Sequence, residues 1–174
     1  MRLQRDAWQA AQPTLDPARL VFIDETGLDT AMVRRYGWGP GGQRVRGAAP
    51  QGHWHTSTCV AALRQRGLTA PMVIEGAMDG ALFKAYVKEF LCPTLSPGDI
   101  VVWDNLSSHP VAGVREAIEA VGAILKPLPT DSPDFNPIEQ VFAKLKAWLR
   151  KGGERTVETL WDALAKVLDQ FSPA

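Results

Sequence analysis

Two four-residue apolar runs, Leu20–Ile23 and Ile100–Trp103, are each followed at once by an aspartate, Asp24 and Asp104. Runs this short, apolar at every position and bounded by polar residues, read as buried strands. Two more strands are expected at His55–Leu63 and Ala70–Glu75, and a fifth begins at Ala123–Leu125. The first three follow one another with no helical pattern between them, which predicts an antiparallel meander. Helical spacing of Leu82, Phe83, Tyr86, Val87 and Phe90 predicts a helix from about Gly80 to Leu91 with Asp79 as its cap. Val111, Val114, Ile118 and Val121 mark a second helix, closed by Gly122. A third opens at Asn136-Pro137, with Asn as N-cap and Pro at the first helical position. Its apolar stripe is Ile138, Val141, Phe142, Leu145, Trp148 and Leu149, and Gly152-Gly153 ends it. A fourth runs from about Thr156 to Phe171.

Three hairpin-linked strands followed by strand–helix alternation give an α/β fold: a mixed five-stranded sheet flanked by helices, in the order of the ribonuclease H-like fold. A chain of 174 residues, 45% hydrophobic, suits one such domain. Residues 1–19 read as a lead-in or linker in which only Trp8 and Leu15 are large and apolar, and residues 20–174 read as the domain. Cys59 and Cys92 are too few for a disulfide framework and are expected to pack in the interior. There is no apolar run of membrane-spanning length and no signal-peptide core, so no membrane partner is expected and the chain reads as cytoplasmic.

Open sheets place their chemistry at the carboxyl ends of strands. If the first and fourth strands are neighbours, Asp24 and Asp104 meet at one edge, and Glu139, in the first turn of the third helix and off its apolar stripe, can supply a third carboxylate. Three acids repel one another and call for a cation. Oxygen-only ligation favours Mg2+ or Mn2+, and two ions about 4 Å apart suit phosphodiester chemistry. Each residue also has a structural reading: the aspartates as turn formers or helix caps, and Glu139 as partner of Asn136 in a capping box.

Three ordered blocks decide between these readings. FIDETG (22–27), VVWDNLSSH (101–109) and SPDFNPIEQVFAKLK (132–146) resemble the signature blocks of DDE transposases, in particular the mariner-like superfamily that includes many bacterial insertion-sequence transposases. The 34 residues between Asp104 and Glu139 match the spacer of that group, and RRYGWGPGGQR, GHWHT and ERTVETLW are similar as well. The resemblance implies a DNA transposase catalytic domain that cleaves and joins strands in DNA transposition, recombination and integration. It implies two Mg2+ (or Mn2+) ions held by Asp24, Asp104 and Glu139, with Asp24 bridging them. It implies transposon-end and TA-containing target DNA as partners, a homodimer in the synaptic complex, and a bacterial cytoplasmic location on the nucleoid when bound to DNA. Two departures stand out. Asp131 replaces the tyrosine usual in the proline loop, and the helix-turn-helix region that precedes this domain in the group is not expected in this chain. Two other readings compete with this one. A phosphatase of the haloacid dehalogenase type needs a second aspartate where Thr26 stands. A catalytically inactive or regulatory remnant that binds DNA sits poorly with an intact acid triad.

The remaining expectations concern DNA contact. Residues 30–74 carry six arginines and no acid. Arg34, Arg35, Arg44 and Arg46 are candidate phosphate contacts, and Tyr36 and Trp38 in the same glycine-rich loop are candidate stacking platforms for distorted bases. The opposing reading is a solvated hairpin with its aromatics folded onto the core. Lys144, Lys146 and Arg150 on the third helix are candidate phosphate contacts or plain complements to the helix dipole. His109 orients a phosphate or nucleophile, or caps the following helix. Asn105 and Asn136 read as supporting or capping groups rather than ligands, and His53, His55 and Cys59 lack the fourth partner a zinc site needs.

Overall fold

The computed structural model describes residues 2–33, 36–47, 54–104 and 113–171. Strands β1 (Leu20–Asp29), β2 (Thr56–Arg64), β3 (Gly67–Glu75), β4 (Ile100–Trp103) and β5 (Ile124–Pro127) form one sheet in the order β3-β2-β1-β4-β5. The β1–β2 and β2–β3 pairs are antiparallel, and the β1–β4 and β4–β5 pairs are parallel. This is the expected meander extended by strand–helix alternation, a ribonuclease H-like sheet. The helices are α1 (Arg2–Ala11), α2 (Gly80–Tyr86), α3 (Val114–Ala120), α4 (Ile138–Gly152) and α5 (Val157–Leu168). Asp79 caps α2 by accepting from the Leu82 N–H at 2.8 Å, and α2 runs on as a π-helical turn, Val87–Leu91. No helix among the described residues is long and apolar enough to cross a membrane.

Alternation along the strands sorts the core into two layers. Val21 and Ile23 of β1, Val60 and Ala62 of β2 and Val101 of β4 pack beneath α2 and α3, against Phe83, Tyr86, Val114 and Ile118. The intervening residues Leu28, Cys59 and Ala61 meet Ile138, Phe142, Leu145 and Leu149 of α4 and Leu160 and Leu164 of α5 on the opposite face. Trp8 of α1 covers Val102 and Leu128 in a third cluster. Arg5 of the same helix makes a two-pronged ion pair with Asp134 at 2.7 and 2.9 Å, donates to Ser132 Oγ at 2.8 Å, and lies over the Phe135 ring.

Three sequence expectations need correction. β1 does not stop at Ile23: its hairpin partner β2 pairs with it out to Asp29↔Thr56, so Asp24 lies inside the strand rather than after it. α4 starts at Ile138 with Pro137 as N-cap; Asn136 is extended, and no side chain caps the helix, so there is no capping box with Glu139. Trp148, expected on the buried stripe of α4, is 48% exposed, because Leu145 and Leu149 already fill that face.

Arg64, at the end of β2, donates to Asp99 Oδ2 at 2.7 Å and to the Thr94 carbonyl at 2.8 Å, which ties the central hairpin to the lead-in of β4. On the edge strand β3, Thr69 pairs with Ala62 and Met72 with Val60, so Ala70 and Pro71 together oppose the single residue Ala61. This is a β-bulge, and Ala70 adopts φ +50° within it.

Candidate active site

Strand alternation places the first carboxylate. Phe22 and Leu28 of β1 pack toward α4 and α5, so Asp24 and Thr26, at the same parity, belong to that face. The β1–β4 register runs Phe22↔Val102 and Ile23↔Trp103. One step further along both chains stand Asp24 and Asp104, at the point where β1 continues and β4 ends. Glu139 enters from above, in the first turn of α4, the helix packed on β1.

Asp24 is half-buried and gripped at both oxygens. Oδ1 accepts from the Glu25 N–H at 2.8 Å, and Oδ2 accepts from Asn136 Nδ2 at 3.3 Å. Burial pushes the Asp24 carboxyl up to about 7; the Glu25 N–H bond opposes this, and the charges of Glu139, Asp104 and Glu25 add to it. Glu139 is raised first by desolvation and then by Asp104. Asp104 therefore acts on both of the other two, and Glu139 on Asp24, so three acids from distant parts of the chain sit within one another's fields. Clustered carboxylates with raised pKa values mark sites where a cation or a proton is needed. The donor set is oxygen only, which fits a hard divalent cation. Among the described residues no three His, Cys, Asp or Glu side chains are closed into a ligating cluster.

The remaining expected residues are distributed differently. Tyr36 and Trp38 are 93% and 103% exposed, so they are not folded onto the core. Arg44 and Arg46 are exposed on the same loop. Lys144 and Arg150 are exposed on α4 and Lys146 is half-buried. Arg34, Arg35, His53, Asn105 and His109 lie outside the described residues. One of the six arginines of 30–74, Arg64, is committed to Asp99. Of the two sequence readings of Asn136, supporting group and helix cap, the structure keeps the first: its side chain is buried, turned to Asp24, and among the described residues its Oδ1 has no partner. The signal available was its position three residues before an acid in a proline-rich loop.

A family profile described as DDE superfamily endonuclease matches residues 19–161. The chain belongs to the DDE superfamily endonucleases. No curated protein matches this DDE superfamily chain. Solved structures similar to it include the Mos1 transposase paired-end complex with left transposon end (17% identity, TM-score 0.71), covering 97% of this chain and 53% of that one. The Mos1 strand transfer complex (18%, TM-score 0.64) covers 97% and 57%. The mariner Mos1 paired-end complex with Mg (16%, TM-score 0.61) covers 97% and 58%. At these identities the likeness is one of fold. This DDE superfamily chain spans little more than half the length of those solved chains.

Proposed function

We propose that this chain is the catalytic part of a mariner-like DNA transposase, with residues 20–174 as its catalytic domain and Asp24, Asp104 and Glu139 as the residues that hold two Mg2+ or Mn2+ ions. The observation that carries the reading is the placement of these three acids at the β1/β4 edge, beneath the first turn of α4. Family membership and the solved relatives bound to transposon ends and to Mg support it.

Bound divalent ions would supply Lewis-acid activation of the attacking oxygen and charge relief for the leaving one. The chain's own contribution is position. Asp24 is fixed on a rigid central strand by its two hydrogen bonds, and Glu139 is carried on a helix anchored through Ile138 and Phe142. In the cleavage step, water oxygen bonds to phosphorus at the element's end and the P–O3′ bond breaks, leaving a 3′ hydroxyl and a 5′ phosphate. In the joining step that hydroxyl attacks a target phosphodiester, and the target's own 3′ oxygen leaves. Each step is one direct displacement at phosphorus, so neither requires a covalent enzyme intermediate. Transposon-end and target DNA are the proposed partners, gathered by a homodimer, with Arg44, Arg46, Lys144 and Arg150 available to phosphates and Tyr36 and Trp38 to bases.

The test is nicking of supercoiled plasmid by purified protein in Mg2+ or Mn2+. Wild type should nick, chelator should stop it, and Asp24→Ala, Asp104→Ala and Glu139→Ala should each abolish it while the chain still folds. Full activity in any one variant removes that residue from the site, and metal-independent or absent nicking by wild type overturns the reading.

A further inference from the structure

We propose that Asn136 is a positioning residue: its side-chain amide holds Asp24 in the orientation that receives a divalent cation, at the expense of the stability of the metal-free fold. The inference rests on the three-carboxylate reading above.

Asn136 is 3% exposed, and its Nδ2 lies 3.3 Å from Asp24 Oδ2. A metal-bound carboxylate only accepts hydrogen bonds, so the amide nitrogen must be the atom that faces it. Among the described residues, Asn136 Oδ1 then has no partner while buried. A buried amide oxygen without a donor is costly, and one long hydrogen bond on the other side of the same group does not offset it. An apolar residue of the same shape would therefore serve the fold at least as well. Nor does the helix need this side chain: Pro137 is the N-cap of α4, and the Glu139 N–H bonds to the Asn136 backbone carbonyl, which every substitution keeps. What the amide does accomplish is geometric. The Glu25 N–H holds Asp24 Oδ1 from within the strand, and Asn136 holds Oδ2 from the loop that leads into Glu139. Two donors at opposite ends of one carboxylate fix its plane. They also link the strand that carries the first acid to the helix that carries the third, so the spacing of the ligands is set before a cation arrives. Partners that orient a ligating carboxylate in this way commonly change metal affinity by about 10- to 100-fold when removed.

The experiment compares wild type, Asn136→Leu, Asn136→Ala and Asp24→Ala as full chains. It measures melting temperature in chelator and the dissociation constant for Mn2+ alone by calorimetry at one neutral pH. Asn136→Leu should melt at or above the wild-type temperature without metal, yet bind Mn2+ about tenfold more weakly or worse. Asn136→Ala leaves a small void and should melt somewhat lower, with the same loss of Mn2+ affinity. Wild-type Mn2+ affinity in Asn136→Leu, or in Asn136→Ala should the leucine variant not fold, overturns the proposal and leaves the carboxylate reading standing. A metal-free melting temperature lowered by many degrees in both variants also overturns it, because Asn136 would then be a structural residue. Absence of Mn2+ binding in wild type, or undiminished binding in Asp24→Ala, brings down the carboxylate reading and this proposal together.

Discussion

Asp104→Asn removes one negative charge from the cluster and keeps nearly the same shape. Its charge raises both Asp24 and Glu139, so neutralising it relieves repulsion in the metal-free protein. The variant should match or exceed the wild-type melting temperature in chelator. It should also lose most of the rise that millimolar Mg2+ or Mn2+ gives the wild type by binding only the folded state. Paired thermal melts check both halves. A strongly destabilised metal-free variant would make Asp104 a structural cap. Glu139→Gln is an equally clean probe, because no side-chain cap at the start of α4 depends on the carboxylate. It should behave in the same way.

At the scale of elements, the Arg64–Asp99 pair is the polar tie that locks the β2 end to the turn before β4. Burial pushes the Asp99 carboxyl up, but the Arg64 hydrogen bond, the Ser96 N–H and the charges of Arg64 and Arg19 outweigh it and hold the group below its ordinary range. The folded state thus keeps the carboxylate charged where the unfolded chain would take up a proton. Its contribution to stability is complete above the ordinary carboxylate value of about 4 and is lost as pH falls through the lower folded value. Acid melts of wild type should show this loss below about pH 4, and Asp99→Asn should lack that part of it. Arg64→Met strands a carboxylate that is 4% exposed and should cost roughly 3 kcal/mol in denaturant titrations at neutral pH. This tie also shows where sequence reading stops. Strand and helix positions were legible because apolar period, caps and glycine stops are local; Asp24, Asp104 and Glu139 stood out as candidates through the three sequence blocks, and their shared edge depended on β1 and β4 being neighbours. The far end of β1 was not legible, since a strand lasts as long as its partner does, and β2 is more than 25 residues away in the chain. Arg64 looked like part of a basic face for the same reason: its carboxylate is distant in sequence. For Asn136 the cap reading fails although Asn-Pro is a good local helix start, and the supporting reading acquires its partner, Asp24, only in the folded sheet.

For the molecule as a whole, 19 basic and 19 acidic residues cancel, so the proposed DNA affinity would have to come from a local set of cations rather than from net charge. Among the described residues, exposed Arg44, Arg46, Lys144 and Arg150 are the set proposed for this contact. If all four meet phosphates, log K against log salt should have a slope of roughly −3 to −4 on duplex DNA. Arg44→Ala with Arg46→Ala should flatten that slope by about 2, whereas Trp38→Ala should weaken single-stranded or distorted DNA more than duplex. Anisotropy titrations from low to physiological salt measure this. Tight, sequence-selective binding at physiological salt by this chain would contradict the picture.

The bulge on β3 bears on solubility. A sheet that is open on both sides offers two templates for strand addition by neighbouring copies, the usual route to aggregation. Here β5 is only four residues long, and β3 is interrupted by Ala70 and by Pro71, which has no N–H to offer. Both borders are thereby poor docking rails, which steers any contact between copies toward loops and helices. Deleting Ala70 together with Pro71→Thr would restore a straight, fully hydrogen-bonding border. Light scattering should then show concentration-dependent growth of particles that the wild-type chain, at the same concentration, does not form.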